Sequence, residues 1–180
     1  MIKKIYRKLY AIIWSKLNPV KYAKKIGVNF MGKVNIYGNV LWGTEPWLIT
    51  IGRDCHITNG VAFETHDGGT LIFRDQFPDL EITKPITLGN KVYVGNNVIF
   101  MPGVTIGNNV IIGAGAIVTK DIPDNSVAVG VPARVIKTTN EYFEKIKKES
   151  LHLGHLNGQE KDKALMAYYH YHGQSNGIYF

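Results

Sequence analysis

Between Leu88 and Ile122 an apolar residue returns every six positions in two interlocked series. The first is Leu88, Val94, Phe100, Ile106, Ile112 and Val118; the second, offset by four, is Val92, Val98, Val104, Val110, Ala116 and Ile122. A helix would place its apolar stripe at i, i+3, i+4 and i+7, and a half-buried strand would alternate with a period of two, so neither sustains this beat. Gly89, Gly95, Gly107 and Gly113 follow members of the first series, and Asn90, Asn96 and Asn108 come next. Glycine and asparagine tolerate bends and left-handed backbone, so each unit reads as a short strand and a corner. Three units close a triangular coil with its apolar residues inside, and successive coils stack as parallel strands at about 4.8 Å. The expected fold is mainly β, a parallel β-helix. Its hand does not follow from the pattern, because parallel crossovers in general are mostly right-handed.

Upstream the beat is less regular. Phe30, Ile36, Trp42 and Leu48 keep it, with Val34 and Val40 in the offset series; a phase break follows, and Ile51, Ile57 and Phe63 resume with Cys55 and Val61. Between Phe63 and Leu88 the beat disappears into THDGGTLIFRDQFPDLEITKP, which is too long for a corner. Long loops in compact repeats are functional or disordered, and this one, residues 64–85, holds the best chemical side chains of the chain. Residues 1–17 read as a basic amphipathic helix, with Ile2, Ile5, Leu9 and Ile13 on one face and Lys3, Lys4, Arg7 and Lys8 elsewhere. Thr138 and Glu141 have capping-box spacing for a helix to about Lys148, and Gln159 to His170 suggests another. The organisation expected is a helical segment over 1–29, a β-helix over 30–137 that carries the loop, and a helical tail over 138–180.

A chain of 180 residues can bury one core but not two complete ones. Its net charge of +7 suits an anionic partner, whether nucleic acid, a membrane surface or a phosphorylated cofactor. The lone cysteine, Cys55, allows no internal disulfide and fits a reducing cytoplasm. Its inward repeat position marks it as a small buried hydrophobe rather than a nucleophile. The apolar run LYAIIW is short, is followed by Ser15 and Lys16 and lacks a small-residue cleavage site, so no signal peptide is expected. No other stretch approaches the ~20 apolar residues needed to span a bilayer.

The segment ITLGNKVYVGNNVIFMPGVTIGNNVIIGAGAIVTKDIPDNSVAVGVPARVIK resembles the diagnostic stretch of the hexapeptide-repeat acetyltransferases. That is the left-handed β-helix family of galactoside, maltose and antibiotic O-acetyltransferases. Through NPVKYAKKIGV, GTEPWLITIG and FETHDGGTLIFR the chain also resembles a subgroup associated with bacterial surface-polysaccharide synthesis. The resemblance implies a left-handed coil, acetyl-CoA as co-substrate, a carbohydrate acceptor and no nucleic acid. It further implies a homotrimer whose active sites form between subunits.

By its position in THDGG, His66 corresponds to the general base of that family. The chemistry independently wants such a group, because a sugar hydroxyl must lose its proton as it attacks a thioester carbonyl. Histidine, with an unperturbed pKa near ~6.5, can accept that proton at neutral pH. Asp67 or a backbone carbonyl is expected to hold the ring. Glu64 is the second candidate base, one that burial would have to activate, and with Asn59 it is a candidate acceptor contact. The resemblance assigns Thr119, Lys120 and Arg134 to the adenosine phosphates of coenzyme A and the backbone of Ala114 to the pantetheine arm. Lysine and arginine suit phosphate as a point charge and a planar fork. Tyr93 stands where galactoside-type relatives carry a tryptophan beside the cofactor channel. Asn96 is grouped with these cofactor positions, although it and Asn59 also fit corners. Transfer is expected to be direct, within a ternary complex.

N-acylation of an amino sugar, transfer to serine and a non-catalytic scaffold are the competing readings. Serine acetyltransferases carry a large N-terminal helical domain for which residues 1–29 leave no room. A zinc hydratase on the same fold needs three histidine ligands, and the coils offer His56 and His66. His152, His155, His170 and His172 lie on tail segments without a carboxylate or cysteine framework, so no metal is expected. A peripheral contact with the inner membrane face is one expectation for residues 1–17, and packing on the protein's own β-helix is the other.

Overall fold

The structure, a computed structural model, describes residues 17–171. All of the expected amphipathic helix before Leu17, and His172, lie outside the described residues. The chain divides into two units, the first ending at Tyr142 and the second beginning at Phe143. No helix among the described residues is long and apolar enough to cross a membrane.

Helix α1 (Pro19–Ile26) opens the described part of the first unit. Asn18 caps it by accepting from the Lys21 N–H at 2.9 Å, Pro19 stands in its first turn, and Gly27 closes it at φ 115°. Short strands follow: β1 (Asn29–Phe30), β2 (Val34–Tyr37), β3 (Val40–Leu41), β4 (Ile49–Ile51), β5 (Cys55–Thr58), β6 (Val61–Phe63) and β7 (Ile86–Leu88). The series continues through β8 (Tyr93–Val94), β9 (Ile99–Phe100), β10 (Thr105–Ile106), β11 (Ile111–Ile112), β12 (Ile117–Val118), β13 (Ser126–Val129) and β14 (Arg134–Thr138). Each strand up to β9 pairs with the one three places on, and β11 pairs with β13. The sheets are therefore β1-β4-β7-β10, β2-β5-β8-β11-β13-β14 and β3-β6-β9-β12, the three faces of a triangular prism. Pairing is parallel throughout except between β13 and β14, where the chain doubles back and ends the second face.

The six-residue beat is the coil seen from inside. Leu88 lies opposite Ile51 and Ile106, Val94 opposite Ile57 and Ile112, and Phe100 opposite Phe63 and Val118. All of these, and the whole offset series from Val92 to Ile122, are buried. Full burial of such side chains stabilises by roughly 1.5–3 kcal/mol each. Trp42, Phe63 and Phe100 stack as an aromatic column, with centroids 5.1 and 5.0 Å apart and planes within 7° and 19°. Cys55 is buried in the same core; burial pushes its thiol up, and the Sγ–H donates to the Gly89 carbonyl at 3.2 Å.

Two details depart from expectation. The glycines after the inward residues are not the left-handed ones: positive φ falls later, at Lys91, Asn97 and Asn109, with values of 55–58°. Gly89 is needed instead for close approach, because a Cβ there would stand 2.6 Å from the Gly107 carbonyl oxygen in the next coil. The asparagines link the coils. Asn108 Oδ1 accepts from the Asn90 N–H at 2.9 Å, and Asn90 Oδ1 from the Arg53 N–H at 3.0 Å. The phase break also comes before Leu48, not after it. Ile51 pairs with Phe30, nine positions separate Trp42 from Ile51, and the surplus forms a bulging segment, 43–48, that ends in a 3-10 turn at Pro46–Leu48.

The excursion at 64–85 is pinched at its base. His66 bridges Thr83 in antiparallel fashion, the Lys84 N–H donates to Thr65 O at 2.8 Å and the Asp67 N–H to Ile82 O at 2.9 Å. A 3-10 turn at Gly68–Phe73 follows the pinch. At the far end of the unit the capping box forms: Thr138 Oγ1 accepts from the Glu141 N–H at 3.1 Å, and Glu141 Oε2 from the Thr138 N–H at 2.7 Å. It opens α2 (Thr139–Glu149). The second unit holds the rest of α2 and α3 (Gly158–Tyr168), and none of its described residues is buried.

Candidate active site

A repeat lines up residues that are far apart in sequence. Each time the chain leaves the third face for the first it crosses the same edge of the prism. After β3 comes the bulging segment 43–48, after β6 the excursion, after β9 Met101 to Gly103, and after β12 Thr119 and Lys120. Glu45, His66 and the pair Thr119 and Lys120 therefore stand on one edge, in the first, second and fourth coils.

The first two crossings meet. His66 Nδ1 lies 3.1 Å from Glu45 Oε2 and 3.2 Å from Thr44 Oγ1. Glu45 Oε2 also accepts from Thr65 Oγ1 at 2.6 Å, and Glu45 Oε1 from Thr44 Oγ1 at 2.5 Å. Hydrogen bonds from Thr44, then Thr65, then His66 hold the Glu45 carboxyl below the ordinary carboxylate range. The His66 side chain is 38% exposed and that of Glu45 24%, so the ring is held from within yet reachable from outside. Local backbone makes the meeting possible. Gly43 has φ 64°, and a Cβ there would stand 2.7 Å from the Phe63 carbonyl oxygen.

A cleft of about 260 Å³ opens at this place. It is lined by Thr44, Glu45 and His66 together with Leu71, Arg74 and Glu81 of the excursion. Asp67 also lines it, but does not hold the ring. Its carboxylate accepts from the Gly69 N–H at 2.8 Å and caps the 3-10 turn, so the carboxylate on His66 is that of Glu45. Glu45 carries no local motif in the sequence, and the nine-position spacing from Trp42 to Ile51 that marks its segment emerges only from the register between coils.

The other candidates are dispersed. Glu64 is half-buried, joins its coil to the next through an N–H bond to Phe100 O at 2.9 Å, and does not line the cleft. Asn59 and Asn96 sit in a corner ladder: Asn96 Oδ1 accepts from the Asn59 N–H at 3.2 Å, and Asn59 Oδ1 from the Asn39 N–H at 2.9 Å. Ala114, Thr119 and Lys120 are exposed, Ala114 at the turn from the second face to the third. Tyr93, 46% exposed on β8, and Arg134, exposed at the start of β14, belong to the second face, which lies opposite the edge that carries His66. Among the described residues no three His, Cys, Asp or Glu side chains gather as metal ligands would.

Comparison with known proteins gives this architecture its lineage. The family model for the bacterial transferase hexapeptide (six repeats) matches residues 85–120. Protein CapG of Staphylococcus aureus is 49% identical over 120 residues, which cover 67% of this chain and 70% of CapG. Galactoside O-acetyltransferase of Escherichia coli K12 is 58% identical over 131 residues, 69% of this chain, although the match spans only 61% of that protein. The solved structure of a galactoside acetyltransferase in complex with coenzyme A is 30% identical, with a TM-score of 0.57 over 79% of this chain and 83% of the other. The chain belongs to the hexapeptide-repeat acetyltransferases, and its prism is their left-handed parallel β-helix.

Proposed function

We propose that the protein transfers an acetyl group from acetyl-CoA to a sugar hydroxyl in bacterial surface-polysaccharide synthesis, with His66 as general base. The observation that carries this reading is the placement of His66. Its Nδ1 is engaged inside the chain, so Nε2 is the nitrogen left for a substrate, and the residue lines a cleft on the edge that also bears Thr119 and Lys120. Nε2 takes the proton of the acceptor hydroxyl as its oxygen bonds to the thioester carbonyl carbon. The tetrahedral adduct then collapses, the C–S bond breaks, and Nε2 returns the proton to the departing sulfur. The products are an acetyl ester and free coenzyme A, and no acyl-enzyme forms.

Lys120 and Thr119 take the phosphate end of the donor, with Ala114 beside the pantetheine arm and Asn96 near the channel. Tyr93 and Arg134 contact the same donor from a second copy of the chain. They stand on the face opposite the His66 edge, which supports a homotrimer whose sites form between subunits. The acceptor sugar enters the cleft lined by Leu71, Arg74 and Glu81. The cytoplasm is the place of work, and contact with the inner membrane face or packing on the β-helix are the two roles open to residues 1–17. Light scattering tests the trimer, and liposome flotation with and without residues 1–17 tests the contact.

The deciding experiment measures thiol release from acetyl-CoA with mono- and oligosaccharide acceptors, hydroxyl against amino. For His66→Ala the expected result is a fall in kcat of about 10²- to 10⁴-fold with acetyl-CoA binding retained. Unchanged turnover would remove His66 from the mechanism.

A further inference from the structure

We propose that Glu45, carried by the three-residue surplus of the first coil, is the positioning residue that fixes which nitrogen of His66 bears the proton; this rests on the reading of His66 as general base. The reasoning is an account of hydrogens. Thr44 and Thr65 each own one hydroxyl hydrogen. That of Thr44 goes to Glu45 Oε1 at 2.5 Å and that of Thr65 to Glu45 Oε2 at 2.6 Å. What then faces His66 Nδ1 is two acceptors, Glu45 Oε2 at 3.1 Å and the lone pairs of Thr44 Oγ1 at 3.2 Å. A nitrogen surrounded by acceptors must itself carry the hydrogen, so the neutral ring is the Nδ1–H tautomer and Nε2 holds the free pair. A general base needs that pair on the substrate side.

The cradle also stays put during the reaction. When Nε2 takes the acceptor proton the ring becomes a cation, and the Nδ1–H then points at a carboxylate that two hydroxyl donors already keep ionised. The proton leaves again through Nε2 to the coenzyme A sulfur, and Glu45 is never protonated. The carboxylate thus orients the ring and stabilises its charged form, as an aspartate does for histidine in serine hydrolases. Asp67 does not fill this role: its Oδ1 accepts from the Gly69 N–H, and the hydrogen-bond partners of His66 Nδ1 are Glu45 and Thr44.

The test compares full-length wild type with Glu45→Gln and Glu45→Asp, using His66→Ala to assign the ring signals. Nitrogen-15 shifts of the His66 ring report the tautomer without any need for turnover. Wild type should show Nδ1–H, and Glu45→Gln should move the ring toward Nε2–H while kcat falls about 10²- to 10³-fold and KM for acetyl-CoA holds. Glu45→Asp keeps the charge and should regain at least about tenfold of that loss. A purely structural role would not move the tautomer or split kcat from KM. Glu45→Gln with an unaltered tautomer, or with kcat within about threefold of wild type beside an inactive His66→Ala, overturns the assignment and leaves the base reading intact. An active His66→Ala instead overturns the base reading, and with it any catalytic role for Glu45.

Discussion

The coils from Leu88 to Ile122 and those from Phe30 to Phe63 build the same prism with opposite discipline. In the later stretch every inward position falls on the six-residue beat, every corner is short, and Gly89 allows the next coil to approach closely. In the earlier stretch the beat slips twice, once by three residues after Trp42 and once by the whole excursion after Phe63. Both slips occur at the same edge, and their contents meet as Glu45 and His66. A repeat that keeps its period builds the wall, and one that breaks it at a constant edge builds a site. The physical reason is that stacking spends each inward position on the core. Reactive side chains can be added only where the chain leaves the coil and returns to the same register.

That contrast can be broken in order of expected effect. Phe100→Ala removes the end of the aromatic column and should cost about 3–5 kcal/mol in chemical denaturation, because Phe63 and Val118 on either side are held by their own coils. A loss below about 1 kcal/mol would show that the regular coils tolerate a cavity, against the dense packing expected of such a core. Gly43→Ala strikes the hinge of the bulging segment. A Cβ at φ 64° and 2.7 Å from the Phe63 carbonyl should cost about 1–3 kcal/mol and should also lower kcat by displacing Glu45. Unaltered kcat in a correctly folded Gly43→Ala would detach the segment from the chemistry.

The smallest effect concerns pH. Since the Glu45 carboxyl is held below its ordinary range in the fold, its stabilisation is fully present above the unfolded value of about 4.3 and is lost as pH falls through the lower folded value. The stability difference between wild type and Glu45→Gln should therefore shrink as pH falls below about 4.3 and the carboxylate is protonated. A difference that keeps growing below about pH 4 would contradict the hydrogen-bond cradle.

Much of the wall was legible in advance because periodicity is a local property of the chain. Six-residue spacing implied inward and outward sides, the series from Leu88 to Ile122 identified the core by residue, and Thr138 with Glu141 identified a helix start. His66 was reachable through its motif. Glu45 was not, because a nine-position interval reads as noise until the coils are stacked and the surplus is seen to lie beside the next crossing. The same holds for Leu48, which kept the beat in sequence but not in space.

The sequence alone therefore determined the period, the buried set and the family motif around His66, since each depends on residues within a few positions of one another. Only the tertiary structure decided which carboxylate reaches the imidazole, that Asp67 caps a turn instead, and that Tyr93 and His66 lie on opposite sides of the prism. Those outcomes depend on the register between coils, which sums every insertion along the chain and cannot be read from any one of them.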